Sequence, residues 1–225
     1  SRALWSNVEF GKEKLGKALK AGDKIVSMLP MAHMYGLAFE FLYEFCAGCH
    51  VYFLTRTPSP KIILQAFAEV KPKIVIAVPL IIEKIIKKNV LPKLETPTMR
   101  FLMRVPLVND KIKAKVREQL INAFGGEFYE VIVGGAAFNQ EVEAFLHRIN
   151  FPYTVGYGMT ECAPIITYED WQIFKQGSCG KAAPRMEVKI LSRDPQNIPG
   201  EIVTRGDNVM LGYYKNQEAT NEVID

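Results

Sequence analysis

Residues 129–161 read YEVIVGGAAFNQEVEAFLHRINFPYTVGYGMTE, and this stretch decides the fold class. YEVIV (129–133) has the β-branched content of a strand. Gly134-Gly135-Ala136-Ala137 follows without a bulky side chain. Asn139 is placed to cap a helix whose apolar face is Val142, Phe145, Leu146 and Ile149. YTV (153–155) reads as a second short strand, and Gly156-Tyr157-Gly158-Met159-Thr160-Glu161 leaves it. Strand, helix and strand joined this closely imply parallel strands with a right-handed crossover.

The same alternation extends upstream. IVSML (25–29) is a strand candidate closed by Pro30, and Gly36 to Ala47 reads as an apolar helix stopped by Gly48. HVYFL (50–54) reads as a buried strand. Ser59 then caps a helix with Pro60 in its first position and Ile62, Ile63, Ala66, Phe67 and Val70 on one face. Lys71-Pro72 ends it. IVIAV (74–78) is a continuous apolar run, as expected of a strand covered on both faces. Pro79 opens a further helix carrying Ile81, Ile82, Ile85 and Ile86. Residues 91–108 contain prolines and show no pattern, so they stay unassigned. Asn109 is a cap candidate for a helix with Ile112, Val116 and Leu120, ended by Gly125-Gly126.

After Trp171 the texture changes. MEVKIL (186–191), GEIVTR (200–205) and VMLGYY (209–214) read as short strands between Pro, Gly and Asn turns. The expected fold is α/β: a mostly parallel doubly wound sheet with flanking helices, followed by a smaller β-rich region. The expected division is a lead-in segment (1–23), an α/β layer (24–170) and a β-rich region (171–225).

Composition narrows the class. The chain has 225 residues, of which 48% are apolar and 23% charged, which excludes a disordered tail and a disulfide-stapled miniprotein. The net charge is +4 with Lys and Arg spread along the chain, so no nucleic-acid partner is expected. Four cysteines (46, 49, 162 and 179) suit a reducing compartment. Lys12, Lys14, Lys17 and Lys20 interrupt the start, so no signal peptide is visible and a cytoplasmic location is expected. The most apolar stretch, Ile25 to Leu54, is broken by Pro30, His33, Glu40, Glu44 and His50 and makes a poor bilayer span.

In an open parallel sheet, ligands bind beyond the carboxyl ends of the strands. Four turns therefore hold the candidate chemistry: Pro30 to Gly36, Pro79, Gly134 to Ala137, and Gly156 to Glu161. Gly134-Gly135 lets a ligand approach the backbone, or is simply a tight turn. Tyr157 between two glycines offers a flat face to a planar ring, or is a core tyrosine. Thr160 offers a hydroxyl to a phosphate, and Glu161 a hard oxygen to Mg²⁺; both also suit a helix start. His33 is either a wall of the site or a satisfied structural histidine.

Five ordered motifs are more specific than any of these residues. LPMAHMYG (29–36), VGGAAF (133–138), VGYGMTE (155–161), GSCGKAAP (177–184) and GEIVTRGDNVMLGYYKN (200–216) together resemble the adenylate-forming enzymes. That superfamily comprises acyl-CoA synthetases, luciferases and peptide-synthetase adenylation domains. Within it the chain is most similar to bacterial long-chain fatty-acid–CoA ligases. The resemblance implies that Gly134, Gly135 and Ala136 line the adenine side and that Tyr157 stacks on adenine. Gly158 and Met159 belong to the same nucleotide-binding stretch. Thr160 would contact the α-phosphate, Glu161 would hold Mg²⁺, and His33 would lie by the acyl group and phosphate. The implied ligands are ATP or AMP with Mg²⁺, a fatty acid, and coenzyme A as co-substrate. The implied reaction forms acyl-AMP and pyrophosphate, after which the coenzyme A thiol displaces AMP.

Two parts of the family pattern have no counterpart here. Residues 1–24 hold no Ser/Thr/Gly-rich phosphate loop, and no Thr-Gly precedes Asp225, so Asp225 is not the ribose-binding aspartate. The expectation is a fragment of a longer ligase that adenylates nothing by itself; the alternatives are a complete acyl-nucleotide binding module or a ligase for another carboxylate. Peripheral membrane contact would suit a lipid substrate, but no basic amphipathic helix marks it. A dinucleotide oxidoreductase is disfavoured because no G-x-G-x-x-G follows the first strand. Cys46-Ala47-Gly48-Cys49-His50 matches a haem attachment pattern, but Gly48 explains the spacing as a helix stop. Met28, Met34, Tyr35, Phe39 and Phe138 are either walls of an acyl tunnel or plain core.

Overall fold

The computed structural model describes residues 2–94, 96–102 and 105–224. Helix α1 (Arg2–Leu15) comes first, then β1 (Lys24–Ser27). The next helix runs as α2 (Met34–Leu37), a π turn (Ala38–Leu42) and α3 (Tyr43–Cys46). There follow β2 (His50–Phe53), α4 (Pro60–Val70), β3 (Ile74–Ala77) and α5 (Pro79–Asn89). Short helices α6 (Leu91–Leu94) and α7 (Pro97–Leu102) lead to α8 (Pro106–Ala123), β4 (Glu130–Val133), α9 (Gln140–Arg148) and β5 (Tyr153–Val155). The rest is β6 (Tyr157–Gly158), a 3₁₀ turn (Thr160–Cys162), β7 (Ile165–Tyr168), β8 (Lys181–Ala182), β9 (Met186–Leu191), β10 (Glu201–Gly206) and α10 (Gln217–Val223).

Every pairing among β1 to β5 is parallel. The pair β2–β1 meets the triplet β3–β4–β5 where the Lys73 amide donates to the Lys24 carbonyl at 2.8 Å. The layer order is therefore β2-β1-β3-β4-β5, with helices on both faces, as the alternating sequence predicts. Antiparallel pairing begins at Tyr157, with β6–β7–β8 in one small sheet and β9–β10 in another.

Strand alternation sorts the core into two faces. Val75, Ala77, Val131, Val133 and Val155 point to one face, where Ile63, Phe67, Ile82, Ile86 and Leu146 from α4, α5 and α9, with Phe124 at the end of α8, cover them. Ile25, Ile74, Ile76 and Ile132 point to the other, covered by Phe10 of α1, Tyr35 to Tyr43, and Ile165 to Tyr168 of β7. Ser59 caps α4 through its Oγ at 3.4 Å, Lys71 ends it with φ +56°, and Asn139 caps α9 at 3.1 Å. Gly48 ends α3 with φ +76°.

Three readings of the sequence need correction. The strand at residues 50–54 is not buried: β2 is a sheet edge with Tyr52 and Phe53 exposed, since among the described residues it pairs only with β1. The described residues between 91 and 108, left unassigned above, are largely helical, and Asn109 is no cap, because α8 already starts at Pro106 behind Val105. VMLGYY forms no strand; Tyr213 only bridges to Asn216 in a turn. The lead-in segment, to which the sequence reading assigned no element, holds helix α1, which buries Ser6, Asn7, Val8, Phe10 and Leu15. Asp225 lies outside the described residues. Among the described residues, no helix is long and apolar enough to cross a membrane.

Candidate functional site

The turns after β1, β4 and β5 converge on one cavity of about 120 Å³. His33, Met34 and Tyr35 come from the first turn, Gly134 and Gly135 from the second, and Gly156 to Thr160 from the third. Ile132, Pro164 and Ile165 complete the wall. Whole small-molecule sites occupy roughly 300–1,000 Å³, so this cavity takes a part of a ligand, such as a planar ring. The turn after β3 contributes nothing to this lining.

Each turn is held by identifiable contacts. Buried Glu40 in the π turn accepts from the Met28 amide at 3.0 Å and the Leu29 amide at 2.7 Å through Oε2. That pins the end of β1, from which the His33 loop departs. Burial raises the Glu40 carboxyl to about 7 against these hydrogen bonds. His33 Nδ1 accepts from the Tyr35 amide at 3.2 Å and caps α2, while the exposed ring also lines the cavity. It is thus both a structural cap and a wall.

Buried Tyr35 donates to the Ile132 carbonyl at 3.0 Å, one residue pair below the glycine turn. A Cβ on Gly134 would meet the Tyr35 ring at 3.2 Å, and Gly135 has φ +87°, so this turn favours glycine twice over. Ala136 is exposed beside it and lines no wall. A Cβ on Gly158 would sit 2.1 Å from the Pro164 carbonyl oxygen, which the close β6–β7 hairpin forbids. Tyr157 is half-buried with its ring against the second face of the sheet.

Thr160 is exposed at the cavity mouth, on a 3₁₀ turn rather than a longer helix. Glu161 follows it, outside the lining but adjacent. Its Oε1 accepts from the Tyr213 hydroxyl at 2.7 Å, and its carbonyl accepts from the Met210 amide at 2.7 Å. The Glu161 carboxylate raises the Tyr213 hydroxyl above its ordinary pKa. Among the described residues Oε2 takes no hydrogen bond, so one carboxylate oxygen is free for a cation. No group of three His, Cys, Asp or Glu gathers among the described residues. A single carboxylate fits Mg²⁺ carried on phosphates and waters better than a dedicated protein cage.

The supporting residues escaped the sequence reading. Fully buried Asn7 of α1 accepts from the Ile165 amide at 3.1 Å and donates to the Cys162 carbonyl at 3.4 Å. Buried Asn208 donates to the Ile165 carbonyl at 2.7 Å. Together they clamp the backbone just after Glu161. Tyr213 was visible in GYY, but its partner was not. Of the acyl-wall candidates, Met28 and Phe39 are core, Phe138 packs edge-on to Tyr153, and Met34 and Tyr35 line the cavity.

Residues 2–214 match the AMP-binding enzyme family, and the chain belongs to it. It is 25% identical over 224 residues to long-chain-fatty-acid–CoA ligase 1 of Saccharomyces cerevisiae, covering 90% of this chain and 32% of that protein. It is 30% identical over 219 residues to luciferin 4-monooxygenase of Luciola mingrelica, covering 93% and 34%. The chain therefore spans about a third of the length of these curated relatives. Among solved structures, o-succinylbenzoate coenzyme A synthetase of Bacillus subtilis, in complex with ATP and magnesium ion, superposes with a TM-score of 0.70. The identity is 20%, with all of this chain and 41% of that one covered, which establishes the shared fold.

Proposed function

We propose that this chain contributes the nucleotide- and acyl-facing half of an ATP-dependent long-chain fatty-acid–CoA ligase. The observation that carries the proposal is the convergence of His33, Gly134, Gly135, Tyr157 and Thr160, from three separate strand ends, on one cavity beside Glu161. In this reading Tyr157 stacks on adenine, and Gly134 and Gly135 admit its edge close to the backbone, with exposed Ala136 just outside the wall. Gly158 and Met159 shape the same wall. Thr160 donates to the α-phosphate of ATP. Glu161, oriented by Tyr213, holds the phosphate-bound Mg²⁺, which would offset charge as two anions approach. His33 Nε2 faces the acyl and phosphate oxygens, its other nitrogen being engaged as a cap.

A carboxylate oxygen attacks the α-phosphorus, pyrophosphate leaves, and the thiol of coenzyme A then displaces AMP from the acyl group. Positioning and charge stabilisation are what such a reaction asks of side chains. The fatty-acid choice draws support from the yeast relative, and the location proposed with it is the cytoplasm, with peripheral contact at the inner membrane.

Pyrophosphate release by the full gene product, with palmitate against 4-coumarate as the carboxylate, tests the reading. Palmitate should support release and 4-coumarate should not. Glu161→Gln should slow it roughly 10²-fold, and Tyr157→Ala should raise the KM for ATP about tenfold. Preference for 4-coumarate would overturn the long-chain assignment, and no release with any carboxylate would overturn the ligase assignment.

A further inference from the structure

A second and larger cavity, about 650 Å³, lies between α4, α5, α6 and α8. It shares no lining residue with the site described above. Its volume falls within the roughly 300–1,000 Å³ typical of small-molecule sites. The floor is aliphatic: Leu64, Ile85, Val116 and Leu120 are buried or half-buried there. Lys61, Lys88 and Lys115 stand on three different helices around it, all exposed. None of the three has a carboxylate partner among the described residues. Among the described residues, no Asp or Glu belongs to the lining.

We infer that this cavity binds the single alkyl chain of a long-chain fatty carboxylate, with its head group among the three lysines. An aliphatic floor calls for a ligand without polar atoms along its length, because an unpaired polar group would lose its hydration there. A triangle of unpartnered ammonium groups calls for one anionic end. A bilayer surface fits less well. Insertion would need large apolar side chains standing out on the rim, and every apolar lining residue is at least half-buried. The choice of a fatty acid rests on the ligase reading above; the groove and its charges do not. The site would hold substrate away from the nucleotide cavity, so it should load without ATP.

Displacement of a fluorescent fatty acid from the full chain, in the absence of ATP, tests this directly. Palmitate should displace the probe with one-to-one stoichiometry, and hexadecanol and hexadecylamine should do so more weakly. The Lys61→Glu, Lys88→Glu, Lys115→Glu triple variant should lose palmitate affinity about tenfold while leaving hexadecanol unchanged. If the triple variant unfolds, Lys88→Glu alone should show a smaller loss in the same direction. Ala123→Trp, which fills the floor, should abolish binding, and Tyr157→Ala should not alter it. Equal affinity for palmitate and hexadecanol, or loss on Tyr157→Ala alone, would overturn the site. So would probe uptake seen only on anionic phosphatidylglycerol vesicles. Because no nucleotide is present, a negative result here leaves the pyrophosphate assay free to succeed.

Discussion

The two faces of the parallel sheet are built to different rules. On one, Val75, Ala77, Val131 and Val133 meet helices through aliphatic and aromatic contacts. Phe67, Phe128 and Phe151 surround Phe124 with centroids 5.5, 5.9 and 5.6 Å away. Its buried carboxylate, Glu143, sits at the margin and accepts from the Gly177 amide at 2.8 Å. The other face buries Asn7, Ser27, Glu40, Glu44 and Glu130 among its isoleucines. Tyr168 donates to Glu130, and burial raises that carboxyl to about 8. The first face supplies stability with interchangeable apolar groups. The second spends stability on buried polar groups, of which Asn7 and Glu40 fix the loops of the candidate site.

The largest expected effect tests the first face. Phe124→Ala removes a ring that is fully buried. Emptying such a position costs about 3–5 kcal/mol. Urea unfolding followed by circular dichroism should show the midpoint falling with little change in slope. A loss below about 1 kcal/mol would mean that the surrounding helices collapse into the space, and that this face is not the rigid support claimed for it.

Asn7 tests the second face. Asn7→Ala leaves the buried Ile165 amide and Cys162 carbonyl without partners, at a cost of about 1–3 kcal/mol. The expected signature is local as well as global. Hydrogen exchange should quicken at Cys162 to Ile165 and in the preceding turn, while β3 and β4 stay protected. Uniform loss of protection across both faces would show that α1 is general packing rather than a clamp on the site.

The sequence made the two faces unequally legible. Helix caps at Ser59 and Asn139, the stop at Gly48 and the runs at 74–78 and 129–133 are local signals, and the structure follows them. The glycine and tyrosine turns were readable because each follows a strand end. What failed was what depends on distant partners. Asn7 gains its role from residues more than 150 positions away. Tyr213 meets Glu161 across 52 positions, in a turn whose apolar residues imitate a strand. The edge position of β2 depends on which strand lies beside it, which composition does not encode.

Glu44 offers the smallest effect and the most direct test of how polar groups burden the second face. It is fully buried in α3, and among the described residues neither carboxylate oxygen has a hydrogen-bond partner. Burial, with the charge of Glu40 adding to it, raises its pKa to about 8. An unfolded glutamate titrates near 4.3. Between about pH 4.3 and 8, the folded chain therefore holds a proton that the unfolded chain has released. The unfolded state binds fewer protons there, so stability falls as pH rises through that window and levels off above it. Glu40 and Glu130 add slopes of the same sign, so the parent profile alone does not isolate Glu44. The difference between parent and Glu44→Gln does. A buried amide resembles the protonated acid, so the two proteins should be nearly equal at pH 5. By pH 8 the variant should be more stable by about 1–2 kcal/mol, less than the full shift implies because water entry and side-chain relaxation relieve a buried charge. Parallel stability profiles for the two proteins from pH 5 to 8 would show that Glu44 ionises freely. Glu44 would then add nothing to the contrast between the faces, which would rest on Asn7, Glu40 and Glu130.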